Sequence, residues 1–287
     1  MHDSTLIFKV NQMNQNKYTP KVIFAGAGPG DPELVTLKTI RHLREAEVVI
    51  TDRLVSDIIL ETYVNPKALV LHAGKQRKKE GSTPQHIINE LLVEYALQGK
   101  KVLRLKGGDV SIFSNLLDEL QALNKYGIEY EIVPGITAAC GAAAYAGIPL
   151  TARNHSQAVR FLTLHNQEII SADYWKELAH TEDTLVFYMS GDNTDELVKQ
   201  LTDQGIPEDR SIAVVEQATT PLQKVFSSPL HDYAQQFGKR LYMSPTLIII
   251  GKVAGLHKSL KWKHENEASG ELYFKPVTKN KEEEARA

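Results

Sequence analysis

Cysteine and long hydrophobic runs are nearly absent from this sequence. Cys140 is the only cysteine among 287 residues, so an intramolecular disulfide and a structural zinc site built on cysteines are excluded. No run reaches the roughly 18 apolar residues that a transmembrane helix needs. The first ten residues also lack the apolar stretch of a secretory signal. We therefore expect a cytoplasmic protein that is not in a membrane, and we predict no metal site.

An excess of positive charge is also lacking. The chain has 33 Lys and Arg against 35 Asp and Glu, which gives a formal net charge of −2. Nucleic-acid-binding proteins usually carry a basic surplus, so we expect no nucleic-acid partner. Hydrophobic residues make up 42% and charged residues 24%, as in ordinary globular domains.

Short apolar strands alternate with amphipathic helices along the chain. Strands are predicted at residues 21–25, 48–51, 68–72, 101–105, 129–133, 159–164, 184–189, 211–215 and 246–251. Helices are predicted at residues 34–46, 84–98 with Thr83 as N-cap, 115–126, 137–147 and 194–204. This alternation predicts an α/β fold with a largely parallel sheet.

The pattern divides the chain into four parts with a cleft between the middle two. The expected parts are a flexible leader at 1–20, an N-terminal α/β domain at 21–134, a C-terminal α/β domain at 135–262 and a charged tail with little to bury at 263–287.

Four glycine-containing turns follow predicted strands, where ligand sites of α/β sheets collect. The first turn, residues 26–31, superficially resembles a dinucleotide fingerprint. Asp31 stands at its third glycine position and would repel a pyrophosphate, while Pro29 removes a backbone donor. A nicotinamide or flavin site is therefore disfavoured, and a tight strand-to-helix turn is the favoured explanation of these residues taken alone.

Seven ordered blocks resemble the tetrapyrrole (corrin and porphyrin) methyltransferase family. They lie at residues 22–56 (beginning VIFAGAGPGDPELV), 74–75, 83–109 (ending RLKGGD), 133–151 (VPGITAACGAAAYAGIPLT), 184–189, 216–225 and 244–256. The resemblance is strongest to members that methylate uroporphyrinogen III. It implies a two-domain α/β protein, usually a homodimer, with S-adenosylmethionine in the cleft between the domains and S-adenosylhomocysteine as product.

The resemblance also assigns residues to the cofactor. By position these are Pro29, Gly107, Gly108, Asp109, Ile112, Thr137, Ala138, Met189 and Ala218. Glycine at 107 and 108 permits close approach of the backbone to a ligand. Turn formation and core packing are the alternative explanations for each of these residues.

Two residues match the family's proton-transfer groups. The resemblance makes Asp52, in the DRLV motif, a proton acceptor and Lys75, in the GK motif, a proton donor. A helix cap or an ion pair with Arg53 is the alternative for Asp52, and a solvated lysine for Lys75. The implied reaction is methylation of uroporphyrinogen III at ring carbons 2 and 7, which gives precorrin-2 for siroheme or cobalamin synthesis.

A substrate with eight carboxylates needs cationic partners. The candidates are Arg53, Arg77, Lys78, Lys79, Arg104, Lys106, Arg153 and Arg160. Arg53 and Arg153 are singled out because they adjoin family motifs.

The chain departs from the family pattern after Asp109. Residues 110–116 (VSIFSNL) lack the usual proline, glycines and arginine, so we expect a more helical loop there with one substrate cation missing. This leaves open a later precorrin methyltransferase of the cobalamin pathway, or a tetrapyrrole carrier without catalysis. A carrier need not bind S-adenosylhomocysteine, so cofactor binding separates it from the enzymes.

Overall fold

A computed structural model describes residues 22–73, 83–164, 171–263 and 273–274. The first half of the chain forms a five-stranded sheet in the order β3-β2-β4-β1-β5, and all its pairings are parallel. Its strands are β1 (Val22–Gly26), β2 (Val48–Asp52), β3 (Leu69–Ala73), β4 (Val102–Lys106) and β5 (Tyr130–Val133). The predicted α/β pattern is observed in this half.

Helices cover both faces of this sheet. They are α1 (Leu37–Glu45), α2 (Asp57–Tyr63), α3 (Gln85–Leu97) and α4 (Leu116–Lys125). One core packs around Leu43 and Ile59 of α1 and α2, and the other packs around Leu92 and Leu123 of α3 and α4. Because both faces are covered, β1 and β2 are apolar along most of their length, whereas β4 carries Arg104 and Lys106 at alternate positions.

The second half forms another five-stranded sheet, in the order β6-β7-β10-β8-β9. Its strands are β6 (Val159–Thr163), β7 (Thr184–Tyr188), β8 (Ser211–Glu216), β9 (Lys224–Pro229) and β10 (Thr246–Gly251). Only β6 and β7 pair in parallel, and the other three pairings are antiparallel. The expectation of a largely parallel sheet is wrong here, because β8 returns through a short loop into β9, which only antiparallel strands allow.

The helices of the second half include two very short ones, and two apolar clusters form the core of this half. They are α5 (Ala138–Ala146), α6 (Ala172–His180), α7 (Thr194–Asp203), α8 (Tyr233–Phe237) and α9 (His257–Leu260). The small residues of α5 pack with Val186 and Ile249 of the sheet. Both sheets fall within the expected ranges 21–134 and 135–262, whose exact boundary stays a prediction. Among the described residues, no helix is long and apolar enough to cross a bilayer.

Some predicted boundaries are wrong. Pro32–Leu34 forms a separate 3-10 turn, and α1 begins only at Leu37. The Thr36 side chain caps this helix by accepting from the backbone N–H of Thr39 at 3.2 Å. Leu37 is 85% exposed, so the first residue of α1 does not lie on its buried face.

Other elements differ from the sequence-based expectation. The N-cap of α3 is Pro84, not Thr83. Elements α2, α6, α8, α9 and β9 were not predicted, because each spans nine residues or fewer and gives only a short pattern to read. The loop at 110–115 consists of turns and bends, not the more helical structure that we expected. Phe113 and Asn115 in it have positive φ angles of 49° and 56°, which a right-handed helix excludes.

Gly147 ends α5 in the left-handed conformation, with φ 66°. A Cβ atom there would lie 2.3 Å from the backbone oxygen of Leu260. Gly99 after α3 has a similar φ of 77°, but a Cβ atom there would have no neighbour within 4 Å. A substitution at Gly99 therefore introduces backbone strain alone, whereas one at Gly147 introduces backbone strain and steric overlap.

We expect Gly99→Ala to cost about 1–2 kcal/mol of unfolding free energy through left-handed strain alone. Gly147→Ala should cost a further 1–3 kcal/mol or so, because α9 must move to admit the methyl group. Urea unfolding of both variants measures the difference. Equal losses would contradict the close packing of α9 on Gly147.

Candidate active site

A cavity of about 350 Å³ opens where the two sheets meet. The first sheet contributes the loops after β1, β2 and β4, and the second contributes residues at the ends of β7, β8 and β10. The N-terminus of α5 also reaches it. Carboxyl ends of parallel strands are the usual place for a ligand in such sheets.

Most residues predicted from the sequence line this cavity. They are Pro29, Asp52, Arg53, Gly107, Gly108, Asp109, Ile112, Thr137, Ala138, Met189 and Ala218. Lys75 lies outside the described residues. Arg153 is exposed and is not among the lining residues. The structure thus brings together residues from distant motifs, while their individual roles stay predictions.

Backbone contacts between glycines fix the floor of the cavity. Gly28 and Gly108 exchange two hydrogen bonds, of 3.2 and 2.8 Å. A Cβ atom at Gly26 would lie 2.5 Å from the Gly108 oxygen, and one at Gly135 would lie 2.3 Å from it. Side chains at these positions would push the three loops apart, so glycine is required at both.

Asp109 ties two of these loops together. Its Oδ2 accepts from the backbone N–H of Gly135 at 2.8 Å, and its Oδ1 accepts from the N–H and the hydroxyl of Ser111. The carboxylate is thus already engaged by the protein, although the residue lines the cavity. Its observed contacts hold the loops in place, and its predicted contact with the cofactor stays a prediction.

Tyr188 joins the second sheet to the start of α5, and the sequence analysis missed it. Its hydroxyl lies 2.6 Å from the Thr137 hydroxyl and accepts from the N–H of Ala139 at 3.1 Å. Burial raises the pKa of Tyr188 above its ordinary value. Its ring also packs on Phe113 from the altered loop, with centroids 5.1 Å apart. Tyr188 therefore shapes the wall that includes Thr137 and Ala138.

Asp52 stands at the end of β2, partly exposed to the cavity. Its Oδ1 accepts from the backbone N–H of Leu54 at 3.1 Å, which fixes the carboxylate's orientation. Arg53 follows it, and burial lowers the pKa of its guanidinium, against the opposing effect of Asp52. Leu54 packs on Gly107, where a Cβ atom would lie only 2.8 Å from the leucine Cβ. The DRLV turn and the Gly107–Gly108 turn therefore depend on each other.

A buried charge cluster supports the wall beside Asp52. Glu119 of α4 is fully buried and accepts from Arg104 Nε at 2.9 Å and from Lys106 Nζ at 2.8 Å. Gln85 of α3 reaches the same carboxylate at 3.4 Å. Burial lowers the pKa of Lys106, and the neighbouring Arg104 lowers it further. Two cations and one carboxylate leave this cluster with an excess positive charge.

Arg104 and Lys106 were only general candidates in the sequence, yet both line the cavity. Their alternate positions along β4 place them on one face of the sheet. The alternation of Arg104 and Lys106 with leucine before the glycines was visible in the sequence. A strand pattern alone does not show that two such cations are buried. Glu119 could not be found, because its partners lie 13 and 15 residues away.

The fold and the cavity define a two-sheet α/β protein with a cavity between its sheets. A model of the family described as Tetrapyrrole (Corrin/Porphyrin) Methylases matches residues 21–234. The chain belongs to this family, as its sequence motifs had indicated. The predicted fold class, a two-domain tetrapyrrole methylase-like α/β fold, is confirmed.

Curated relatives are identical to the chain at nearly half of the aligned positions. It is 45% identical over 244 residues to the siroheme synthase of Pseudomonas paraeruginosa, covering 85% of this chain and 52% of that protein. It is 47% identical over 242 residues to the siroheme synthase of Acinetobacter baylyi, covering 84% and 52%. The chain thus spans about half the length of these relatives.

Solved structures match over almost their whole length. Uroporphyrin-III-C-methyltransferase from Thermus thermophilus gives a TM-score of 0.70 at 33% identity, covering 85% of this chain and 98% of that one. The same enzyme complexed with S-adenyl homocysteine gives 0.68 at 31% identity, covering 82% and 99%. A cobalt precorrin-4 methyltransferase gives 0.72 at 26% identity, covering 81% and 95%.

We expect Glu119→Gln to lower the unfolding free energy by about 3–5 kcal/mol, because Arg104 and Lys106 would remain buried without their counter-charge. Glu47→Gln is the matched control, since Glu47 pairs with Lys100 at the exposed surface and should change stability little. Chemical denaturation of both variants checks this. Equal effects would mean that the buried cluster has no special energetic role.

Proposed function

We propose that the chain is an S-adenosylmethionine-dependent C-methyltransferase that converts uroporphyrinogen III to precorrin-2, by methylation at ring carbons 2 and 7. The family, the siroheme synthase relatives and the match to uroporphyrin-III-C-methyltransferase support this activity. The observation that carries it is the meeting of Asp52, the Gly107 and Gly108 turn and Thr137 around one cavity. Precorrin-2 would serve siroheme or cobalamin synthesis.

The cavity residues fit the proposed cofactor. A Cβ atom at Gly108 would lie no closer than 3.6 Å to Ala138, so this glycine faces open space that a longer side chain would fill. Ala138 and Ala218 also line the cavity, and their small side chains leave space for a ligand. Gly107, Gly108, Thr137, Ala138, Met189 and Ala218 would hold the adenosyl and homocysteine parts. When bound, S-adenosylmethionine supplies an electrophilic methyl group.

Asp52 would accept the proton that the methylated ring must lose. The bond from Leu54 N–H to its Oδ1 leaves Oδ2 free of that constraint and fixes the plane of the carboxylate. Such positioning favours proton transfer to a group held at one place. Lys75 is proposed as the donor from the family resemblance alone.

Cations on the cavity wall would bind the carboxylates of the substrate. Arg53, Arg104 and Lys106 line the cavity, whereas Arg153 does not. The proposed carboxylate contacts therefore rest on the first three. A positive wall in a cleft also raises the local concentration of an anionic substrate, even on a protein of net charge −2.

A later precorrin methyltransferase is the second candidate. The observation that favours it is the TM-score of 0.72 with the cobalt precorrin-4 methyltransferase. The two candidates share the cofactor and differ in the ring carbon that reacts. From the family resemblance we also propose a homodimer, which sedimentation of the purified protein would test. A cytoplasmic location is proposed from the single cysteine and the lack of long apolar runs in the sequence.

An anaerobic assay with uroporphyrinogen III and S-adenosylmethionine tests the proposed function. Product mass after oxidation should show the gain of two methyl groups. Binding of S-adenosylhomocysteine without methyl transfer would favour the later precorrin substrate. If the protein neither transfers a methyl group nor binds S-adenosylhomocysteine, the carrier hypothesis is the one that remains.

We expect Gly108→Arg to abolish measurable S-adenosylhomocysteine binding, because the arginine would enter the open space of the cavity. Gly127→Arg is the matched control, since Gly127 has a similar φ of 62° and no atom within 4 Å of its Cβ position. Isothermal titration of both variants gives the affinities. If Gly108→Arg binds S-adenosylhomocysteine as tightly as the wild type, the cofactor does not bind in this cavity.

Asp52→Asn should lower turnover by about 10²–10⁴-fold while the affinity for S-adenosylhomocysteine stays nearly unchanged. Asparagine keeps an oxygen for the Leu54 N–H but is a poor proton acceptor, so the variant separates chemistry from loop geometry. Single-turnover rates and titration measure the two effects. Wild-type turnover would remove Asp52 from the mechanism.

A further inference from the structure

One aromatic residue of the cavity comes from the C-terminal tail. Phe274 lies well beyond residue 234, where the family match ends. It is only 4% exposed and lines the cavity together with Pro29 and Ala218. The expectation that residues 263–287 have little to bury is therefore wrong at this position.

Two hydrogen bonds attach the tail to the loop that follows β8. Lys263 Nζ donates to the backbone oxygen of Thr220 at 3.2 Å. The backbone N–H of Tyr273 donates to Oε1 of Gln217 at 2.7 Å. Gln217 is almost fully buried, so this acceptor is held firmly by its surroundings. The second bond places Phe274 directly beside the cavity.

The first glycine turn makes room for the phenylalanine ring. A Cβ atom at Gly30 would lie 3.1 Å from the ring atom Cζ of Phe274 and 3.2 Å from the Ala218 oxygen. The neighbouring Asp31 N–H donates to the Thr219 hydroxyl at 3.0 Å, which ties this turn to the loop after β8. The ring thus packs where these two segments are joined.

We propose that Phe274 is a ligand-binding residue, whose ring forms an apolar wall of the S-adenosylmethionine pocket. This rests on the proposed function, because Pro29 and Ala218 beside it are assigned to that cofactor. An aromatic ring supplies a large apolar surface with little conformational freedom to lose. The hydrogen bond from Tyr273 positions the ring against the cofactor, and the buried ring excludes water from that side of the pocket.

Titration with S-adenosylhomocysteine tests the assignment. Phe274→Ala should raise the dissociation constant for S-adenosylhomocysteine about tenfold, because the apolar contact between the ring and the ligand is lost. A tenfold change corresponds to about 1.4 kcal/mol of binding free energy. Phe274→Leu should show a smaller increase. Tyr126→Ala is the matched control, because this aromatic side chain is 54% exposed and does not line the cavity. The KM for uroporphyrinogen III should stay unchanged in Phe274→Ala.

A second variant tests the attachment without altering the ring. Tyr273→Pro removes the N–H that donates to Gln217 and also the Tyr273 ring that packs on Phe274, with centroids 5.2 Å apart. The same weakening of S-adenosylhomocysteine binding is therefore expected although Phe274 is present. Its failure to weaken binding would overturn the positioning role of this bond.

The outcomes separate this assignment from the proposed function. If the wild type and Phe274→Ala bind S-adenosylhomocysteine equally, the assignment is wrong and the proposed function stands. Tighter binding by Phe274→Ala would also overturn it, since the ring would then occupy space that the cofactor needs. If the wild type itself does not bind, the proposed cofactor site fails and the assignment fails with it.

Discussion

The backbone of Gly108 packs so closely against Gly26 and Gly135 that no side chain fits at either neighbour. This contact brings together the ends of β1 and β4 and the segment that leads into α5. The carboxylate of Asp109 fastens the same junction through the Gly135 N–H. The cavity exists because these turns meet without side chains between them, and the second sheet is attached to the first through the helix that follows.

The polar wall of the cavity depends on a different interaction. Glu119 holds Arg104 and Lys106 in nearly buried positions at the cavity wall, so the cluster needs its full set of partners. The arrangement keeps two cations in fixed positions at the edge of the site. A polyanionic substrate would meet preorganised charge there, with less side-chain entropy to lose than at surface lysines.

The parts of the site that sequence reasoning found are those encoded locally. Gly107, Gly108 and Asp109 follow a recognisable strand, and Asp52 ends another, so their place at the sheet edge could be predicted. Tyr188 was missed because its hydroxyl serves Thr137, which is 51 residues away along the chain. The strand periodicity that surrounds Tyr188 carries no information about that bond.

The sequence by itself determines the alternation of strands and helices, the glycine turns after strands and the family motifs. These features were sufficient to predict the fold class and the family. Only the tertiary structure decided four other features. They are the strand pairing in the second sheet, the burial of Arg104 and Lys106, the exposure of Arg153 and the placement of Phe274. Each of these depends on contacts between segments far apart in the chain. Such contacts form only when the two sheets and their loops pack together, because local propensity does not specify which distant surface will cover a given side chain.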